Sequence, residues 1–387
     1  MSEKLRVAII SSLTGGLGHY NAHLAEPLSK HCFPKFITYP QLDLLGMPTK
    51  RITDAFVRSK IKWPRFDIRE NNPESIIEIV DYVKKHGIKV INIHIGTTVK
   101  RKISYFMTFL KYAKENSNLK FVFTLHDVFP FDEDRKLTKL LASFYSMADH
   151  LTVGNEFEHK KLIRYFKIPE RKISIIPHGI YDLFDNNTYS KNLSRSYLGI
   201  PSNVNSLLFF GFLREYKGFD YLIKAAKILK QKKQNFVVYV ASGLKYTPRD
   251  LVKKYLKMIK KLGLEDRFIL NLNYLDTSDV EAVFKASDLV VLPYTHASQS
   301  GVMMMAFGFK KPVIITDTFA DKHWVNNKAG LVAKSKDSSD LAKKISLMLK
   351  DKEQLIKMGA YGYKYSEDNL NWDKIAKMYF DVYKKLH

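Results

Sequence analysis

The 387-residue chain has one cysteine, Cys32. An internal disulfide is therefore excluded, and a reducing cytosol is the simplest setting. No apolar run approaches the ~18–20 residues that span a bilayer. The opening MSEKLRVAII reads as a charged start and a short strand, not a secretion signal. A cytoplasmic protein is expected, and the triplets Asn186-Asn187-Thr188 and Asn192-Leu193-Ser194 then match the glycosylation pattern by chance. Cysteine clusters, H-E-x-x-H and acidic metal loops are also missing, so no metal site and no cofactor are expected. Without a G-x-S-x-G elbow, a serine hydrolase is disfavoured.

Acidic residues are scarce. Against 63 Lys and Arg stand 39 Asp and Glu, a formal charge of +24. Such a surface attracts nucleic acid, anionic lipid or phosphorylated ligands. Zinc-finger spacing and RNA-binding aromatic motifs are lacking, which disfavours nucleic acid. Basic and aromatic residues interleave in Lys60-Ile61-Lys62-Trp63-Pro64-Arg65-Phe66 and again over 100–112. That mixture suits an anionic membrane surface on the inner face of the cell membrane, and equally a solvated basic face.

What is abundant is alternation. Apolar strand patterns at 6–11, 90–95, 121–125, 151–153 and 173–176 are separated by helical periodicity at 73–86, 100–116, 137–148 and 156–165. Residues 180–206 lose the pattern and turn Asn-, Ser- and Tyr-rich. A fresh alternation follows: strands at 206–210, 235–241, 268–270, 289–292 and 312–316, with helices between them and after them. This order predicts an α/β protein with two Rossmann-like, doubly wound parallel-sheet domains. The expected bounds are 1–185 and 186–369, with 370–387 forming a terminal helix that packs back on the first domain.

Strand-to-helix turns carry the candidate chemistry. Residues 288–317 read DLVVLPYTHASQSGVMMMAFGFKKPVIITD. After the strand, a polar loop with Ser298, Gln299 and Ser300 runs straight into a helix opened by Gly301 and Val302. Free N–H groups at such a helix start suit a phosphate. An ordinary βαβ turn that binds nothing fits the pattern as well. Gly15-Gly16-Leu17-Gly18, ahead of His19, has the right context but not G-x-G-x-x-G spacing, which counts against an NAD-dependent oxidoreductase. His126-Asp127 follows another strand, where a ligand site or a merely buried histidine would sit. Gly211-Phe212-Leu213-Arg214-Glu215-Tyr216-Lys217-Gly218 places two cations three residues apart at a turn, either for a diphosphate or as a solvated cap.

The order of these pieces resembles the GT-B glycosyltransferases, and more closely the retaining glycosyltransferase family 4. The pieces are the glycine-rich first turn, HD after a strand, IPHG, REYKG, LPY…SQSG and the terminal W-x-K-I-A helix. The resemblance covers essentially the whole chain. It implies two domains facing a cleft, the second binding a nucleotide-diphosphate sugar and the first an acceptor that is a glycan or a lipid-linked glycan. It implies Lys217 and Arg214 at the donor diphosphate, with Gly211, Ser298, Gln299, Ser300, Gly301 and Val302 around the donor and Gly16 near it. It places His126 by the transferred sugar, and Gly18, His19 and Asp127 toward the acceptor. Retaining transfer of a hexosyl unit, independent of metal, is the implied reaction. Three positions depart from the family pattern: Phe212 replaces an arginine, and Ala297 and Met305 replace two glutamates. Two other classes stay open, a non-hydrolysing sugar-nucleotide epimerase and a non-catalytic binder of nucleotide-sugars or nucleic acid.

Overall fold

The apolar runs become parallel strands because both faces of each are covered, so they need no polar alternation. In a computed structural model of the chain, residues 4–38, 50–67, 72–96, 103–128, 135–244, 247–273, 275–325 and 327–387 are described. The chain forms two units, Met1–Gly179 with Asn371–His387, and Ile180–Leu370.

The first unit runs β1 (Arg6–Ile10), α1 (Gly15–Ser29), β2 (Phe33–Ile37), α2 (Lys50–Arg58), α3 (Glu74–Lys85), β3 (Val90–Ile95), α4 (Ile103–Asn116) and β4 (Lys120–Leu125). It continues through α5 (Arg135–Ser146), β5 (His150–Val153), α6 (Glu156–Phe166) and β6 (Ile173–Ile175). Its sheet has the order β2-β1-β3-β4-β5-β6, and every pairing is parallel. The core lies between sheet and helices, with Phe106, Phe109, Phe121, Phe123, Phe144 and Tyr145 fully buried.

The second unit runs α7 (Lys191–Tyr197), β7 (Asn205–Phe210), α8 (Phe219–Gln231), β8 (Phe236–Ala241), α9 (Arg249–Lys261), β9 (Phe268–Asn271), α10 (Thr277–Ala286) and β10 (Leu289–Leu292). Then come α11 (Gly301–Gly308), β11 (Val313–Thr316), β12 (Gly330–Ala333), α12 (Ser338–Met348) and α13 (Lys352–Asn369). Its sheet order is β12-β11-β10-β7-β8-β9, again parallel throughout. The last helix, α14 (Trp372–Leu386), packs on α1 of the first unit, where the Tyr20 and Tyr379 hydroxyls hydrogen-bond at 2.8 Å.

These orders fix where a ligand can sit. In each sheet the first strand of the unit has its successor on one side and a later strand on the other. Loops leaving its carboxyl end on either side therefore diverge and open a crevice. The crevice lies between β1 and β3 in the first unit, and between β7 and β10 in the second.

Two edge strands have no counterpart in the sequence expectation. β2 contains Pro34 and Lys35, and β12 begins on Gly330; such residues are tolerated only where one side of the strand is unpaired. Residues 180–206, which lose periodicity, fold onto the second unit. Ser190 caps α7 by accepting from Leu193 N at 3.2 Å, and the Ile180 N–H reaches the Leu370 carbonyl at 3.0 Å.

Candidate functional site

In the second unit the expected donor residues meet at the β7/β10 crevice. Gly211 leaves β7 with φ 99, a conformation that disfavours any side chain, and a Cβ there would stand 2.5 Å from the Lys217 Nζ and 4.0 Å from Val302 Cγ2. Bare backbone, ammonium and helix start are thus adjacent. Gly218, at φ 64, lies against the next loop so closely that a Cβ would fall 2.0 Å from the Pro293 carbonyl oxygen. The Thr295 N–H donates to Tyr216 O at 2.7 Å and ties the same two loops.

Lys217 is the electrostatic centre. It is buried, at 8% exposure, with its ammonium 5.5 Å from the Tyr294 ring centroid. Among the described residues no carboxylate pairs with it and no acceptor takes its protons. Burial, aided by the charge of Arg214, pushes its pKa down to about 8. A buried cation without a counter-ion is costly unless an anion arrives. Arg214 is exposed on the same turn.

Across the crevice, Ser300 caps α11, its hydroxyl accepting from Met303 N at 3.3 Å. The Gly301 and Val302 N–H groups have no protein acceptor among the described residues. Ser298 is buried and Gln299 half-buried on the approach. Ala297 and Met305 are buried, and Ala297 forms a bridge with Phe319. Both positions serve packing, and the loop's polar side chains are Ser298, Gln299 and Ser300.

In the first unit, His126 is half-buried at the end of β4, its backbone N–H on Ile95 O at 3.0 Å. The following turn is held from below: buried Glu158 accepts the Val128 N–H at 3.0 Å and pairs with Lys161 at 2.8 Å. Tyr20 on α1 lies edge-on to His126 at 5.0 Å, to His94 at 5.7 Å, to His178 at 5.2 Å and to Trp372 at 4.8 Å. Burial, with His178 adding to it, lowers the His126 pKa to about 3, so its imidazole is neutral near pH 7.

Gly16 is exposed at the start of α1, and a Cβ there would meet nothing within 4 Å. Gly18 sits inside α1 with its Cα against the Leu13 carbonyl, where a Cβ would fall 2.4 Å away, so packing alone accounts for it. His19 is half-buried and lends its carbonyl to His23 Nδ1 at 2.7 Å; Asp127 is half-buried next to His126. His94 and Tyr20 are absent from the sequence reading, and His178 entered it only as part of the IPHG turn. The signal for one of them was present, since Asn92 and His94 interrupt an otherwise apolar strand two residues apart.

The basic–aromatic segments turn their aromatics inward. Trp63 packs on Phe56 at 5.5 Å and Phe66 on Tyr82 at 5.5 Å, while Lys62 and Arg65 are exposed. In α4, Tyr105, Phe106, Phe109 and Leu110 are core residues; Lys100, Arg101 and Lys102 lie outside the described residues. Among the described residues no helix is long and apolar enough to cross a membrane, and no three His, Cys, Asp or Glu side chains gather as metal ligands.

Two family models match the chain: glycosyl transferases group 1 over residues 190–365, and glycosyltransferase family 4 over residues 14–182. A D-inositol 3-phosphate glycosyltransferase from Corynebacterium glutamicum is 27% identical over 244 residues, 61% of this chain. That match spans 57% of the relative's length. Among solved structures, a glycosyltransferase from Rickettsia africae superposes with TM-score 0.77 at 18% identity, over 100% of this chain and 99% of that one. HepE from Anabaena in complex with UDP-glucose gives TM-score 0.76 at 15% identity, over 98% and 100% respectively. At such identities the structural likeness speaks for the fold.

Proposed function

For this chain, which belongs to the GT-B glycosyltransferases of the family 4 type, we propose that it moves a hexosyl unit from a nucleotide-diphosphate sugar to a hydroxyl of a glycan or lipid-linked glycan. The transfer proceeds with retention and without a metal or other cofactor. The observation that carries the reading is Lys217: a buried ammonium with no carboxylate among the described residues, beside Gly211 and facing the open amides of α11. A diphosphate supplies the missing counter-charge.

The chemistry follows from the leaving group. As the C1–O bond to the diphosphate breaks, negative charge grows on the departing phosphate. Lys217, Arg214 and the Gly301 and Val302 N–H groups stabilise it where it develops. The acceptor oxygen bonds to C1 on the face the phosphate leaves, and its proton passes to the phosphate oxygen. His126 sits by the transferred sugar as a neutral hydrogen-bonding group. Gly16 leaves room for the donor, and Gly18, His19 and Asp127 lie toward the acceptor. With Ala297 and Met305 apolar, Ser298, Gln299 and Ser300 take over the polar recognition that glutamates give elsewhere in the family.

A thermal-shift screen against UDP-, GDP-, ADP- and TDP-sugars tests this, since a ligand that binds only the native state raises its melting point. At least one donor should do so at millimolar concentration; none doing so sinks the reading. For an acceptor at an anionic membrane, the outward Lys62 and Arg65 supply attraction by charge alone. Flotation with anionic liposomes should then succeed at low salt and fail at high salt. No flotation at low salt removes the membrane.

A further inference from the structure

We propose that His94 is a positioning residue that decides which nitrogen of His126 carries the proton, through a hydrogen-bond relay running from Asn92 across β3. The proposal rests on the role given to His126 above.

The relay is read from donor and acceptor identities. The Asn92 carboxamide lies in a buried polar row: its Oδ1 accepts from the Thr124 hydroxyl at 3.0 Å, which in turn accepts from Thr152 at 3.0 Å. Its Nδ2 donates to the Tyr383 hydroxyl at 2.8 Å and faces His94 Nε2 at 3.4 Å. An amide nitrogen only donates, so His94 Nε2 is the bare, accepting nitrogen. A neutral His94 then holds its proton on Nδ1, and that atom lies 3.4 Å from His126 Nε2. His126 Nε2 accepts in turn, which leaves the proton of His126 on Nδ1. Among the described residues His126 Nδ1 has no partner, so this N–H is available to a ligand.

The arrangement follows from the strand geometry. Asn92 and His94 are two residues apart on β3 and share a face. His94 pairs in register with Thr124, two residues before His126. Both imidazoles are neutral near pH 7, because burial lowers the pKa of each. The neighbouring His23 and His178 fix their own tautomers on nearby carbonyls, donating from Nδ1 to His19 O and Gly179 O at 2.7 Å each. His126 makes no such bond among the described residues, and an imidazole in water prefers the proton on Nε2. His94 supplies the missing constraint. In consequence His126 acts as a hydrogen-bond donor and not as a base, leaving the acceptor's proton to the departing phosphate.

The test is long-range proton–nitrogen NMR on the full chain labelled with nitrogen-15 histidine at neutral pH. The expected spectrum has His126 protonated at Nδ1 with an acceptor-type Nε2; protonation at Nε2 overturns the proposal. This reading needs no variant and no substrate. His94→Leu should shift the His126 proton to Nε2. With UDP-glucose as the probe donor, it should lower kcat roughly tenfold or more and leave KM within about threefold. His94→Asn, whose amide nitrogen can take the place of Nδ1 and still donate to His126 Nε2, should restore the tautomer and most of kcat. An unchanged tautomer and kcat in the leucine variant would reduce His94 to packing and refute the proposal. Absence of UDP-glucose turnover in the wild type would move the kinetic comparison to the nucleotide sugar that stabilises the chain, while the spectrum still decides the tautomer.

Discussion

Replacing Lys217 by methionine should stabilise the ligand-free protein while abolishing donor binding. Methionine keeps the length and apolar body of the side chain and removes the charge. Burial lowers the lysine from 10.5 to about 8. At ~1.4 kcal/mol per pH unit, that displacement corresponds to about 3 kcal/mol by which the fold opposes the ammonium. The sign follows from linkage. Below about pH 8 the lysine is charged in both folded and unfolded chains, and the penalty is full. Between about 8 and 10.5 the unfolded chain holds more protons, so stability rises with pH and the penalty fades. At pH 7 the variant should therefore melt higher, by up to several degrees at ~2–4 °C per kcal/mol for a domain of this size. The gap should close by about pH 10. A saturating amount of the nucleotide sugar that stabilises the wild type should leave the variant unmoved. The assay is thermal denaturation at pH 7 and pH 10, with and without that ligand. A variant that melts lower at pH 7, yet gains as much from the ligand as the wild type, would refute the reasoning: the lysine would then be a structural residue and not a phosphate ligand.

Gly218→Ala should destabilise the second unit by at least ~2 kcal/mol, because its Cβ would sit 2.0 Å from a backbone oxygen of Pro293 at φ 64. The midpoint of urea unfolding should fall, and affinity for the nucleotide sugar that stabilises the wild type should drop with it. Trp372→Ala should cost about 3–5 kcal/mol by emptying the space between Tyr20, His23 and His178. Unfolding followed by circular dichroism should place that loss in the first unit, with binding of the stabilising nucleotide sugar by the folded variant preserved.

Central strands were legible because most are continuous apolar runs; Leu289–Leu292 and Phe236–Ala241 are buried at every position. Two of the four edge strands were not, since Phe33–Ile37 and Gly330–Ala333 tolerate Pro34, Lys35 and Gly330 only by lacking a neighbour on one side. Helix α7 was hidden by Asn, Ser and Tyr, residues that favour turns locally; Ser190 caps it, and Ser194 and Arg195 are its buried residues. Strand-to-helix turns were readable from glycine and charge, and the fold brings the loops carrying Gly211, Lys217 and Ser300 to one crevice. The cluster around Tyr20 was not readable. Its members come from α1, β3, the end of β4, residue 178 and α14, and only the folded sheet makes them neighbours. In the basic–aromatic segments the sequence shows rings and charges together, and the fold separates them. Phe106 and Phe109 lie on the buried face of the helix whose exposed face carries Lys111.

The central claim is transfer of a hexosyl unit with retention. Its most direct test is to incubate the chain with the nucleotide sugar that stabilises it and an acceptor glycan, and to read the anomeric configuration of the new linkage by proton NMR. The account predicts a product with the configuration of the donor, formed without added metal. An inverted linkage, or a sugar nucleotide epimerised with no acceptor consumed, would contradict it.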